Sequence, residues 1–236
     1  MLDIHTHILP GIDDGARDLS ESFLMLEREA AQGVDRVALT PHFYAEEHAL
    51  SSYLNEREAA YIALRDAARA ECPELLLGAE VAYYSGISKS DALNNFAIGE
   101  SRVLLLEMPE SVWSDYMIRE VEEITLGRGF HTVIAHAERC LDYQSKKNRS
   151  RLYDAGILIQ SNASFFINPK TRRQALKLLG RGEIHFVASD AHGSDYRPSR
   201  IGEAIGIIED KLGRAAIERL DSISSRLFGE AVKQVY

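Results

Sequence analysis

Side chains able to hold a metal ion recur at one kind of position in this chain, directly after a short apolar run. His5 and His7 close "LDIHTH", His42 follows "VALTP", and Glu80 follows "LLLGA". Glu107 follows "VLLL", His136 follows "TVIA", and Asn162 follows "LIQS". Asp190 and His192 follow "HFVAS". Residues two apart on a strand point the same way, so His5 with His7, and Asp190 with His192, can each converge on one ion. Imidazole and carboxylate donors without thiolate suit Mn, Fe or Zn. The candidate ligands exceed the needs of one ion, and a carboxylate such as Glu80 can bridge two. Two ions about 3.5–4 Å apart suit phosphate-ester hydrolysis, because they generate hydroxide and clamp the attacking and leaving oxygens.

A single His-x-His pair often does no more than satisfy core carbonyls. The repeated placement after successive apolar runs is what points to a metal site. "GIDDG" after the first run adds Asp13 and Asp14, either of which can reach back as a ligand. Three histidines fall outside the pattern. His131 and His185 begin apolar runs, at the opposite end, and His48 sits in a loop and is expected to be solvated.

The elements that must carry these residues alternate between strand and helix. Strands are read at "LDIHTH", "RVALTPH", "LLLGAEVAY", "RVLLLEMP", "HTVIAHAE", "ILIQSNA" and "IHFVASDAH". Helices are read at "LSESFLMLEREAAQG" with Gly33 as its stop, at 51–71, 114–127 and "SRLYDAG", and at "PKTRRQALKLLGRG" opened by Pro169. Two more, near 200–211 and 213–221, precede a tail. No clear helix appears between Glu80 and Arg102. The strand cores are continuous apolar runs, as expected of strands buried on both faces. A closed β/α barrel is the favoured architecture, with an open doubly wound sheet as the alternative. Parallel barrels place their active sites at the carboxyl ends of the strands, where the ligands fall.

The 236 residues suit one domain over 1–236, and 45% apolar content supports a sizeable core. A net charge of −9 and no dense basic run argue against nucleic acid or anionic membrane as partner. No signal-peptide pattern and no long uncharged apolar stretch appear, so a cytoplasmic protein, not inserted in a membrane, is expected. Two cysteines make no disulfide framework. Neither begins the Cys-x5-Arg of thiol-dependent tyrosine phosphatases, since Gly78 and Lys146 stand six residues after Cys72 and Cys140.

The ordered motifs "DIHTH", "TPH", "GAE", "AHAER" and "SDAHG" resemble the polymerase-and-histidinol-phosphatase (PHP) superfamily over nearly the whole chain. "DIHTHILPGIDDGARDLSES" and "QSNASFF" resemble its manganese-dependent protein-tyrosine phosphatases from bacterial capsule and exopolysaccharide loci. The resemblance implies a distorted seven-stranded β/α barrel with a trinuclear centre. It groups His5, His7, Glu80 and Asp190 around a first metal. Glu80, Glu107 and His136 would hold a second, and Asp14, His42 and His192 a third, with Asp13 as the alternative to Asp14. Arg139 and Arg197 look like the phosphate binders, with Arg200 a possible substitute for Arg197, and Asp190 or a nearby water could protonate the leaving group.

The expected function is a metal-dependent phosphomonoesterase, a protein-tyrosine phosphatase using two or three Mn²⁺ ions. Its partner would be a tyrosine-phosphorylated protein, a bacterial tyrosine kinase of polysaccharide export. The alternatives are a histidinol-phosphate or other small-molecule phosphatase, and a catalytically silent metal-binding module. Trp113 and Tyr116 are further candidates to stack on a substrate ring.

Overall fold

The computed structural model describes residues 1–69 and 71–229. Nine parallel strand segments run in chain order among them. They are β1 (Leu2–Thr6), β2 (Arg36–Leu39), β3 (His42–Phe43), β4 (Glu74–Leu77), β5 (Glu80–Ala82), β6 (Val103–Glu107), β7 (His131–Ile134), β8 (Leu158–Asn162) and β9 (Phe186–Ala188). They form one sheet of order β1-β2-β4 and another of order β3-β5-β6-β7-β8-β9. The seven strands expected from the sequence therefore correspond to nine segments, because two are interrupted. Thr40 and Pro41 separate β2 from β3, and Gly78 and Ala79 separate β4 from β5. Pro41 has no N–H for the ladder. Gly78 is where Ile98 presses on the backbone, since a Cβ there would lie 2.8 Å from Ile98 Cγ1.

The curl returns on itself. The amide of Asp190, just past β9, donates to His5 O at 3.0 Å, and His7 N donates to Ala191 O at 2.9 Å. Nine α-helices lie among the described residues: α1 (Leu19–Ala31), α2 (Leu50–Ala67), α3 (Leu93–Phe96), α4 (Asp115–Glu122), α5 (Lys146–Asp154), α6 (Ala163–Ile167), α7 (Arg172–Gly180), α8 (Ile201–Leu212) and α9 (Arg214–Phe228). None is long and apolar enough to cross a membrane. The helix expected over 114–127 ends early and passes into a wide π turn, Glu123–Gly127. The helix expected to open at Pro169 begins at Arg172, and "QSNASFF" ends in the short α6. The helix expected near 213–221 runs on to Phe228, so the first part of the expected tail is helical, and the rest of that tail, 230–236, lies outside the described residues.

Strand side chains sort by parity, and this builds the site. In β6, Leu104 and Leu106 join the outer core under the helices, while Val103 and Leu105 face a second, inner cluster. Continuing that inner face gives Val103, Leu105, then Glu107. The same series runs Leu158, Gln160, Asn162 on β8 and Phe186, Ala188, Asp190 through β9. The sheet interior is thus an apolar floor with a polar top at the strands' carboxyl ends. β1 carries a register shift between Asp3 and Thr6. Leu2 and Ile4 sit in the floor, and past the irregularity His5 and His7 reach the site, as a bulge allows.

Candidate metal centre

All nine ligands expected from the resemblance come together at the polar top. His5 Nε2 lies 3.0 Å from Glu80 Oε2 and 3.5 Å from Asp190 Oδ1, and His7 Nε2 lies 3.4 and 3.5 Å from the same two atoms. Ligand atoms about 2.1 Å from a shared ion stand roughly 3.0–3.4 Å apart, so the spacing fits a common centre. His136 Nε2 lies 2.8 Å from Glu80 Oε1 and 3.3 Å from Glu107 Oε1. Asp14 Oδ1 lies 3.6 Å from His42 Nε2 and 3.4 Å from His192 Nε2. His7, Asp14, His42 and His192 make one possible ion-binding group, His5, His7 and Asp190 another, and His42, Glu80 and Glu107 a third. His7 belongs to two of these, so the groups are more interleaved than the sequence reading had them.

The two aspartates of "GIDDG" divide their labour. Asp14 faces the cluster. Asp13 stands behind it, with Oδ2 2.6 Å from His7 Nδ1 and accepting from His42 N at 3.0 Å. A carboxylate behind a histidine fixes its tautomer and presents the far nitrogen. His192 is set similarly, with Nδ1 2.9 Å from Asp190 O. The loop carrying both aspartates is pressed onto β1, since a Cβ on Gly15 would lie 2.0 Å from His7 O.

The donors fit a bound cation. His42 Nδ1, Glu80 Oε2 and His192 Nε2 are buried and make no hydrogen bond, although His42 Nδ1 is only 3.0 Å from Glu80 Oε2. Buried polar atoms are rarely left so, and three of the eight among the described residues gather in this one cluster. Burial works against charge on His7, but Asp13, Asp190 and Glu80 outweigh it and hold its pKa well above the ordinary value. Burial likewise opposes charge on His136, yet Glu107 and Glu80 raise its pKa to about 9. Burial would raise Asp190, but His5 and His7 pull it far below the carboxylate range. Protons on these imidazoles occupy the place a cation takes on binding.

Arg139 Nη2 and Arg197 Nη2 reach the same atom, Asp190 Oδ2, at 2.9 and 2.8 Å. Both guanidiniums are about a third exposed. Arg200 instead pairs with Glu203. His136, Asp190 and Arg197 have φ of 27°, 53° and 49°, the only positive values at non-glycine residues among the described ones. Such backbone strain concentrates at functional sites.

Other expectations land elsewhere. His131 is exposed at the start of β7. His185 lies just before β9 and accepts from Ile159 N at 3.0 Å. His48 is half-buried and stacks on Tyr53, with centroids 5.5 Å apart, so it is not merely solvated. Trp113 is buried, whereas Tyr116 is half-exposed. Cys140 is buried and its thiol is pushed up to about 12, chiefly by burial, which leaves no thiolate at neutral pH. Two supporting residues were not singled out from the sequence. Asp3 accepts from Ser189 N and His5 N, and Gln160 accepts from His136 N. Their signal was parity, since Asp3 stands two residues before His5 and Gln160 two residues before Asn162, each directly after an apolar residue.

A parallel α/β sheet curled around a carboxyl-end cluster of histidines and carboxylates is the architecture of the PHP-type metal-dependent phosphatases. The family model for capsular polysaccharide synthesis, CpsB/CapC, matches residues 1–226, and the chain belongs to that family. Tyrosine-protein phosphatase YwqE of Bacillus subtilis is 30% identical over 90% of this chain and 85% of its own length. Tyrosine-protein phosphatase CpsB of Streptococcus pneumoniae is 30% identical over 93% and 94%. A crystal structure from the work on YwqE and CpsB, described there as metal-dependent tyrosine phosphatases, superposes with a TM-score of 0.82 at 24% identity, covering 98% of this chain and 96% of that one. Histidinol phosphate phosphatase of Lactococcus lactis shares the fold more distantly, with a TM-score of 0.53 at 14% identity over 89% and 94%.

Proposed function

We propose that this chain is a metal-dependent protein-tyrosine phosphatase, folded as one unit on a seven-path β/α barrel and using two or three Mn²⁺ ions. The observation that carries the reading is the pair of guanidiniums on Asp190 Oδ2, directly beside the ligand cluster. His5, His7, Glu80 and Asp190 would hold one ion, Glu80, Glu107 and His136 a second, and Asp14, His42 and His192 a third. When bound, such ions supply a nucleophilic oxygen at neutral pH and Lewis-acid stabilisation of the phosphoryl group.

The chain's own groups do the rest. Arg139 and Arg197 present forked donors that match phosphate oxygens. With Asp190 as their resting partner, they can exchange one oxygen of that carboxylate for the oxygens of an incoming phosphate. Asp190 is held ionised by its histidines, so at neutral pH it carries no proton to donate. A phenolate, with a solution pKa of about 10, leaves without a strong proton donor far more readily than an alkoxide. That favours phosphotyrosine over alkyl phosphates. The substrate class is a tyrosine-phosphorylated protein in the cytoplasm, and a kinase of polysaccharide export fits the family. The test is chelation followed by addition of Mn²⁺. Aryl phosphatase activity should vanish and return, and activity that survives complete metal removal would overturn the reading.

A further inference from the structure

We propose that Gln160 and Asn162 form a positioning relay that fixes which atoms of His5 and Asp190 face the cations. The proposal rests on the metal-centre reading above. Its polarity is set by one group that cannot be reversed. The backbone N–H of His136 donates to Gln160 Oε1 at 2.7 Å. An amide N–H has nothing to accept with, so the atom opposite it must be oxygen, and the Gln160 side chain cannot be flipped. The same oxygen stands 3.2 Å from His5 Nδ1. Nδ1 therefore carries the proton, and His5 Nε2 keeps its lone pair. Nε2 is the atom that looks into the cluster, 3.0 Å from Glu80 Oε2.

The other half of the Gln160 amide passes the polarity on. Its Nε2 donates to Asn162 Oδ1 at 2.8 Å. That turns the Asn162 amide so that Nδ2 donates to Asp190 Oδ2 at 2.7 Å. Oδ2 also receives Arg139 and Arg197. With three donors on Oδ2, Oδ1 is the oxygen left to face His5 and His7. One backbone N–H thus sets the tautomer of His5 and the division of labour within Asp190.

Geometry makes the relay hard to bypass. Gln160 is 0% exposed and Asn162 is 5% exposed, so a reversed amide would leave buried donors facing donors. The two lie at i and i+2 on β8, hence on one face, directly above the apolar floor. The Gln160 bond also holds the N–H of His136, whose φ of 27° is strained. The relay therefore touches three proposed ligands, His5, His136 and Asp190, and neither of its members is among the nine ligands that the resemblance implies. Outer partners of this kind are commonly worth 10–100-fold in metal affinity.

The test measures Mn²⁺ binding to metal-free protein, by the paramagnetic resonance signal of free Mn²⁺, with circular dichroism to confirm the fold. Gln160→Leu keeps most of the volume and removes both halves of the amide. It should weaken Mn²⁺ binding by about 10–100-fold. Gln160→Glu restores an acceptor for the same two N–H groups but offers no donor to Asn162 Oδ1, so it should bind Mn²⁺ more tightly than Gln160→Leu while staying at least about threefold weaker than wild type. Wild-type affinity in Gln160→Leu overturns the proposal. So does a Gln160→Glu variant as weak as Gln160→Leu, because packing alone would then explain the loss. Should Gln160→Leu fail to fold, Asn162→Ala carries the test. It cuts only the arm to Asp190 and should weaken binding by at least about threefold, and unchanged affinity overturns the proposal. Wild type that binds no Mn²⁺ is a different result, which refutes the metal centre itself and the relay with it.

Discussion

At the scale of single residues, the three arginines near the site separate by partner. Arg139 and Arg197 are held on Asp190, while Arg200 is occupied by Glu203. Arg139→Ala or Arg197→Ala should therefore lower kcat/KM for an aryl phosphate by about 10²-fold, the range for losing one transition-state donor. Arg200→Ala should stay within about threefold of wild type, as an exposed ion pair contributes little. Steady-state kinetics of the three variants check this, and equal losses at Arg197 and Arg200 would contradict the assignment. Which arginine turns inward was not legible in "HGSDYRPSR", because the answer depends on the left-handed backbone at Arg197. The choice between Asp13 and Asp14 was hidden for a similar reason. Both follow the same turn, and only the fold shows one behind His7 and the other in front.

At the scale of elements, two features can be tested, one that holds ligands in place and one that sets a pH dependence of stability. The first is the contact of the Gly15 backbone with His7. A methyl group there would meet His7 O at 2.0 Å and His7 Cβ at 2.5 Å, so Gly15→Ala must displace the loop that carries Asp13 and Asp14. Mn²⁺ affinity should fall by about tenfold or more with helix content unchanged by circular dichroism. Undiminished affinity would show that the loop does not position the ligands. The second feature is an acid on α1. Glu29 is fully buried and neither carboxylate oxygen makes a hydrogen bond. Burial, with the Asp3 charge nearby, raises its pKa well above the ordinary value. Unfolded, a glutamate titrates near 4.3. Its contribution to stability is therefore full below that pH and is lost as pH rises through the higher folded value. In chelator, Glu29→Gln and wild type should melt at similar temperatures near pH 4.5. At pH 8 the variant should gain at least about 1 kcal/mol, or roughly 2–4 °C. Calorimetry at the two pH values decides, and a gain independent of pH would mean that Glu29 is not the titrating group.

At the scale of the whole molecule, the alternation of strand and helix was readable because the strands are buried on both faces and so stand out as apolar runs. The gathering of the candidate ligands was readable because each run ends at the same rim. Less was visible where the chain departs from that rule. The interruptions at Thr40–Pro41 and Gly78–Ala79 lie inside runs that look continuous. The short α3 and the 3₁₀ turn Ile87–Lys89 fill the stretch where no helix was apparent, pinned by Glu120, which accepts from Gly86 N and Ser88 Oγ across from α4. Such long-range pinning leaves no local pattern. The function proposed above draws on the assembled rim, with its cluster of expected ligands, its two arginines on Asp190 and an Asp190 held ionised by its histidines. The proposed mechanism uses no thiol, so a Cys72→Ser/Cys140→Ser variant should keep most of its phosphatase activity, measured alongside Mn²⁺ content. Loss of activity with metal and fold intact would contradict that.

The most direct measurement of the central claim is kcat/KM for a phosphotyrosine peptide, a phosphoserine peptide and histidinol phosphate, each under saturating Mn²⁺. The account predicts that phosphotyrosine is favoured by at least about tenfold, or roughly 1.4 kcal/mol in the transition state, and that all three activities disappear with chelator. Equal rates across the three substrates, or a preference for histidinol phosphate, would contradict it.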